Sequence, residues 1–152
     1  MHFFTRQLHE ALQDRRRQQK AEREWDERME SYRRHLHVIQ PKLPESARDF
    51  ARYGFHDAEV CETHFGKKEL SFLLNLRGCF SEMPQPCARV SFHGVREYSR
   101  DLPRVGECWL YDELHLDGES GFSLHVFFER TDFHIAADEV DLQFLPQLSM
   151  SR

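Results

Sequence analysis

Apolar residues near the start of the chain follow one face of a helix. Residues 5–39 contain neither glycine nor proline, and Thr5 is a suitable N-terminal cap. The apolar positions recur at alternating intervals of four and three residues, at Trp25, Met29, Tyr32, Leu36 and Ile39. This pattern predicts a long helix over residues 1–40.

The same stripe has a gap. Its expected apolar positions carry Arg15, Gln18 and Glu22, so we expect the helix either to bend near residues 14–20 or to project with its front half docked elsewhere. Prolines at positions 41 and 44 end the segment, because proline cannot continue a helix. A short second helix is predicted over residues 45–53.

After Gly54 the hydrophobic period changes from helical to two. Short apolar runs alternate with polar residues through residues 56–145, and Gly66-Lys67-Lys68 is typical of a hairpin turn. No helix between the runs is long enough for a parallel crossover, so the strands should be antiparallel. We therefore predict one α+β domain over residues 1–152, with both helices packed on one curved antiparallel sheet of six or seven strands.

One hairpin can be interpreted residue by residue. If the apolar positions of residues 108–116 and 122–128 face one core, a three-residue loop over residues 117–119 joins them. This register places Asp112 on the apolar face, opposite Leu124. An ionised carboxylate there is costly unless it is paired or hydrogen-bonded. Asp112 is therefore either a functional carboxylate with a shifted pKa or a structural hydrogen-bond acceptor.

A second candidate lies where the second helix gives way to the first strand. His56 and Asp57 are adjacent, and a histidine beside a carboxylate is a common acid–base arrangement. The alternative is a junction held by hydrogen bonds from the aspartate to the backbone. We name no catalytic residue from these patterns.

The other face of the hairpin is predicted to carry an aromatic and acidic surface. Trp109, Tyr111, Glu113 and His115 would share this face, as an interface for a protein partner. Glu113 and His115, with His125 across from them, are residue types that bind zinc. No H-E-x-x-H motif accompanies them, so we interpret the histidines as scattered and solvent-facing and expect neither metal nor cofactor.

Composition and charge narrow the function further. The net charge is -5, but residues 1–50 sum to +2 and residues 51–152 to -7. An acidic second half disfavours nucleic acid as its partner. The strongest basic cluster is Arg15-Arg16-Arg17 with Lys20 and Arg23, either a solvated face or a contact for an anionic partner.

The remaining features favour a cytoplasmic protein without a membrane partner. No apolar run is long enough to span a bilayer, and the first residues lack the pattern of a secretory signal. Four cysteines without C-x-x-C spacing are expected to be reduced and mostly buried. Neither a G-x-S-x-G elbow nor a glycine-rich phosphate loop occurs.

Three stretches resemble a family of small uncharacterised bacterial proteins classed as a domain of unknown function. They are residues 3–9 (FFTRQLH), 55–60 (FHDAEV) and 109–114 (WLYDEL). The second stretch, with the alternating hairpin after it, is also similar to patterns in immunity proteins of polymorphic toxins. The first resemblance implies no activity, and the second implies stoichiometric protein binding.

Three functional hypotheses follow. The first is a non-enzymatic protein-binding module, in one form an immunity-type toxin neutraliser. The second is a small enzyme that uses Asp112, His56 with Asp57, or both together, as acid–base or metal-ligand residues. The third is an oligomeric structural protein that assembles through the N-terminal helix, with Phe3, Phe4, Leu8 and Leu12 as its contact stripe.

Overall fold

A computed structural model describes residues 2–148. The chain divides into two compact units, residues 1–41 and residues 42–152. Each unit is described by itself.

The first unit contains two helices, α1 (Arg6–Leu12) and α2 (Gln18–Ile39). The prediction of one long helix is wrong, and the break falls where the apolar stripe has its gap. The side chain of Asp14 causes the break, because it accepts hydrogen bonds from the backbone nitrogen of Arg16 and from Nε of Arg17, both at 2.9 Å. This local bonding competes with helix continuation. Thr5 caps α1 as predicted, with its Oγ1 3.1 Å from the nitrogen of Leu8.

Aromatic rings hold the start of the chain against α2. The ring of Phe4 lies 5.0 Å from Trp25 and 5.5 Å from Tyr32, measured between centroids. Phe4 and Leu8 are 3% and 6% exposed. Two of the four residues predicted as an oligomer contact are thus mostly buried, so they offer little surface to a second copy.

The second unit contains the β structure. A 3-10 turn over Gln40–Lys42 follows α2, and helix α3 spans Glu45–Phe50. Eight strands come after it: β1 (Glu59–Gly66), β2 (Glu69–Asn75), β3 (Cys87–His93), β4 (Glu97–Tyr98), β5 (Trp109–Asp117), β6 (Gly121–Phe128), β7 (Asp132–Ala137) and β8 (Glu139–Leu145).

The strands form two antiparallel four-stranded sheets, in the orders β1-β2-β3-β8 and β4-β7-β6-β5. The α+β class and the antiparallel pairing are confirmed, but the single sheet of six or seven strands is wrong. Strand β4 has only two residues, too few for a visible alternation. Strand β8 returns to the first sheet beside β3, and this long-range pairing leaves no local signature.

Phenylalanine rings from both sheets meet in one core. Phe72 of β2 lies 5.3 Å from Phe133 of β7 and 6.2 Å from Phe128 of β6. Phe92 of β3 lies 6.5 Å from Phe122 of β6. All five side chains are at most 2% exposed. The inward positions of β2, β3, β6 and β7 are therefore joined across the sheets by aromatic packing.

From Tyr111 onward, the β5–β6 hairpin keeps the predicted faces, but its register differs from the predicted one. Asp112 is paired with Val126 instead of Leu124, and the loop is Gly118–Ser120 instead of residues 117–119. Gly118 supplies the left-handed conformation at the first loop position, with φ of 68°. A shift of two residues preserves every side-chain face, so the alternation could not distinguish the two registers.

Gly121 leaves room for the guanidinium of Arg96. This guanidinium bridges Asp117 at 2.7 Å and Asp138, and it donates to the carbonyl oxygen of Ala137 at 3.2 Å. A Cβ atom at position 121 would clash with Nη2 of Arg96. Packing of the β6 start and the position of Arg96 are therefore coupled.

We expect Gly121→Ala to destabilise the protein by displacing Arg96 from both carboxylates. Because these partners are exposed, the loss should be about 1 kcal/mol and should shrink at high salt. Urea unfolding of Gly121→Ala, Arg96→Gln and the double variant measures it. The glycine substitution should cost less in the Arg96→Gln background, and additive effects would contradict the coupling.

Candidate functional site

Trp109 and Asp112 form a polar contact at the edge of the core. A bulge at Leu110 pairs Trp109 with Phe128, and this turns the indole to the same face as Asp112. Trp109 is fully buried, and its Nε1 donates to Oδ2 of Asp112 at 2.9 Å. The bulge also removes Trp109 from the face of Tyr111, where the regular alternation had placed it.

The surroundings of Asp112 favour its neutral form. Burial raises the pKa of Asp112 to about 6, the indole donor partly offsets this increase, and the charge of Glu113 adds to it. A carboxyl group with this pKa changes its protonation close to neutral pH. Perturbed groups of this kind occur both at functional sites and in structural networks.

His56 and Asp57 lie in the turn between α3 and β1. Nδ1 of His56 is 3.4 Å from Oδ1 of Asp57, and both side chains are nearly half exposed. Asp57 has a left-handed backbone, with φ of 70°, and its nitrogen donates to the carbonyl oxygen of Trp109 at 2.8 Å. Tyr111 packs beside this pair, with its ring tilted and 5.0 Å from the ring of His56.

The structure does not bring the two predicted candidates together. Neighbouring residues of a strand point to opposite faces, so Tyr111 and Asp112 lie on opposite sides of β5. His56 contacts Tyr111, whereas Asp112 lies with Trp109 on the core side. Direct acid–base cooperation between His56 and Asp112 is therefore not supported by this geometry.

Asp57 lies where three segments meet: its own turn, strand β5 and the loop after β2. Its carbonyl oxygen lies 3.2 Å from the position a Cβ of Gly78 would occupy, so the loop after β2 packs directly on it. Burial, and then the charge of Asp57, raise the pKa of Tyr111 and of the Cys79 thiol. The next loop residue, Phe80, is 95% exposed. We call His56, Asp57, Tyr111 and Phe80 the junction surface.

Sequence reasoning missed Phe80. It stands alone between Cys79 and Ser81 in a loop, outside any alternation. An isolated loop phenylalanine was the available signal, since no period of neighbouring apolar residues assigns it to a core face.

Three histidines gather on the face of the second sheet that carries Tyr111. The rings of His115 and His125 are 5.6 Å apart, and those of His125 and His134 are 4.4 Å apart. Glu113 is fully buried beside them, with Oε1 3.2 Å from Nε2 of His115. The interpretation of scattered, solvent-facing histidines is wrong here, because neighbouring strands bring positions far apart in sequence side by side.

His125 is the member of this cluster with a strongly shifted pKa. Burial lowers the pKa of His125 to about 4, and the neighbouring His134 and His115 lower it further against the opposing effect of Glu113. Within residues 2–148, no three histidine, cysteine or acidic side chains are arranged to hold a metal ion.

All four cysteines lie in the described part of the chain and are free. Cys87 alone is buried, so the expectation that most are buried is wrong. Burial raises the pKa of the Cys108 thiol to about 11, and a hydrogen bond and the charge of Glu129 contribute, followed by Glu59 and Asp57. Such a thiol is a poor nucleophile at neutral pH.

The chain thus combines a helical first unit with a second unit of two antiparallel sheets, and the second unit carries the junction surface. A family model described as "Protein of unknown function (DUF4085)" matches residues 2–137. The chain belongs to this family. No curated protein and no solved structure matches it.

Among residues 2–148, no helix combines the length and the apolar character needed to cross a membrane.

We expect Asp112→Asn to stabilise the protein at pH 7. The folded pKa of Asp112 is raised, so the wild type loses stability as pH rises from about 4 through about 6, where the buried carboxyl must ionise. The amide carries no charge and still accepts from Trp109. The gain should reach up to about 3 kcal/mol at pH 7 and vanish below about pH 4.

Chemical unfolding from pH 4 to pH 8 measures this difference. Asp112→Ala is the matched control, because it removes the charge but leaves the buried indole N–H without its acceptor and should gain less. A difference between wild type and Asp112→Asn that does not change with pH would contradict the raised pKa.

We expect Cys108 to react slowly with iodoacetamide at pH 8. A pKa of about 11 instead of 9.0 lowers its thiolate fraction by about 100-fold. Glu129→Gln should raise the rate at Cys108, because it removes the nearby charge. Peptide-resolved mass spectrometry follows each cysteine, with Glu119→Gln in the β5–β6 turn as the control. Equal rates in both variants would reject the role of Glu129.

Proposed function

We propose that the chain is a non-enzymatic protein-binding module that contacts its partner through the junction surface. The observation that carries the proposal is the 95% exposure of Phe80, in the loop whose Gly78 packs on the backbone of Asp57. The ring of Phe80 lies almost wholly outside the core, so its apolar area is available for contact with a partner. Aromatic anchors ringed by polar groups are typical of interface hot spots.

Asp57 gives this surface a fixed shape and a charge. Its left-handed backbone and its bond to Trp109 hold the turn, and its carboxylate faces outward beside His56. The net charge of -7 over residues 51–152 favours a partner with a basic surface, mainly by steering the encounter. As a more specific form of this proposal, the partner is a basic toxin that the chain neutralises by stoichiometric binding, as the resemblance to immunity proteins suggests.

The alternatives have less support. An enzyme that combines His56 and Asp112 needs both side chains in one cleft, and they lie on opposite sides of β5. An oligomer built on the N-terminal stripe must use Phe4 and Leu8, which already pack inside the first unit.

We expect a photoreactive phenylalanine analogue at position 80 to cross-link the partner in native cells. Phe80→Asp should weaken co-purification of that cross-linked protein at least about tenfold, because it removes the apolar anchor. Val105→Asp is the control, since Val105 is 74% exposed in a different loop.

Asp57→Asn separates charge from shape, because asparagine tolerates the left-handed conformation that Asp57 adopts. A smaller loss is expected from this variant than from Phe80→Asp. Equal losses in Phe80→Asp and Val105→Asp, with unchanged thermal stability, would contradict the junction surface as the contact. A cross-linked partner without a one-to-one complex would contradict stoichiometric neutralisation.

A further inference from the structure

A groove on the first unit combines a small apolar floor with a basic rim. It has a volume of about 310 Å³ and lies between α1 and α2. Its floor consists of Leu8, Ala11 and Ala21, and its rim of Arg16, Arg17 and Lys20. The two alanines leave the space open, because larger residues at these positions would fill it.

The turn between the helices is held by Asp14, and two of its cations line the groove. Asp14 binds the backbone of Arg16 and the guanidinium of Arg17. These bonds lower the pKa of Asp14, with the Arg16 backbone contact as the largest cause. Arg17 is thereby used inside the turn, whereas the backbone contact leaves the guanidinium of Arg16 uncommitted.

The remaining rim charges are unbalanced. No ion pair is recorded for Arg16 or Lys20 within the described residues, and the nearby carboxylate of Glu24 is occupied by Arg28 at 3.3 Å. Residues 13–23 hold five basic and two acidic side chains, in a chain whose net charge is -5. Arg16 and Lys20 therefore give the groove a local positive field that attracts anionic groups.

We propose that this groove binds an acidic peptide segment of another protein. A leucine-sized side chain of the segment fills the floor, and its flanking carboxylates pair with Arg16 and Lys20. The fork of Arg16 suits a carboxylate, and the apolar floor distinguishes this ligand from a bare polyanion. The inference does not depend on the junction surface, which lies in the other unit.

The probe is a fluorescein-labelled twelve-residue peptide of glutamates interrupted by leucines at helical spacing, titrated with the full chain by fluorescence polarisation. Arg16→Glu with Lys20→Glu should weaken binding by at least about tenfold. Arg33→Glu with Lys67→Glu changes the net charge equally, at exposed positions outside the groove, and should weaken binding by less than about threefold. Affinity should fall as salt rises, since the rim is exposed.

Two further arms test the apolar floor and the class of ligand. Ala11→Trp fills the floor without changing charge, so it should abolish the preference for the leucine peptide over a leucine-free glutamate peptide. A retained preference in this variant, with circular dichroism unchanged, would overturn the proposal.

Equal losses in the two charge-reversal variants would also overturn it. So would tighter binding of an oligothymidylate of equal charge, or of vesicles containing phosphatidylserine. A doubling of mass in light scattering that Arg16→Glu with Lys20→Glu abolishes would assign the groove to a second copy instead.

Discussion

Burial of Trp109 is the constraint on which the second unit depends. Its indole contacts Phe50 of α3, Phe55 of the following turn and Phe128 of β6. Its backbone nitrogen and oxygen pair with the Ala58 oxygen and the Asp57 nitrogen, both at 2.8 Å. One residue thus joins helix, turn and sheet. Only the bulge at Leu110 makes this arrangement possible, because a regular strand would turn the indole to the other face.

The role of Asp112 follows from the burial of this indole. A buried indole N–H needs an acceptor, and Asp112 supplies it from the same face of β5. A carboxyl so placed has a raised pKa because it is buried, and raised pKa values occur both in catalytic groups and in structural networks. The geometry pairs Asp112 with Trp109 and not with His56. Packing of the indole therefore gives Asp112 a structural role, whether or not it has another.

Local patterns in the sequence predicted what local physics determines. The Thr5 cap, the helical gap, the antiparallel hairpins and the face of Asp112 all depend on residues within a few positions of one another. What the sequence could not predict depends on pairing between distant segments. Placement of β8 beside β3, and the gathering of His125 with His134, require strand neighbours that no period reveals. The same distinction applies to the candidate site. His56 and Asp57 are adjacent in the sequence and could be predicted together. The loop that carries Phe80 comes near them only because Gly78 packs on Asp57.

Several carboxylates in the acidic segment 51–152 are bonded within the protein. Glu107 is 7% exposed and accepts bonds from the backbone nitrogens of Arg104 and Arg130 and from the Thr131 hydroxyl. Asp117 and Asp138 are held by Arg96. Carboxylates engaged in this way keep their long-range field but offer few free oxygens for direct contact. Their charge contributes to the field around the second unit, whereas the two proposed contact regions use side chains without an internal role. These are Phe80 on the second unit, and Arg16 and Lys20 on the first.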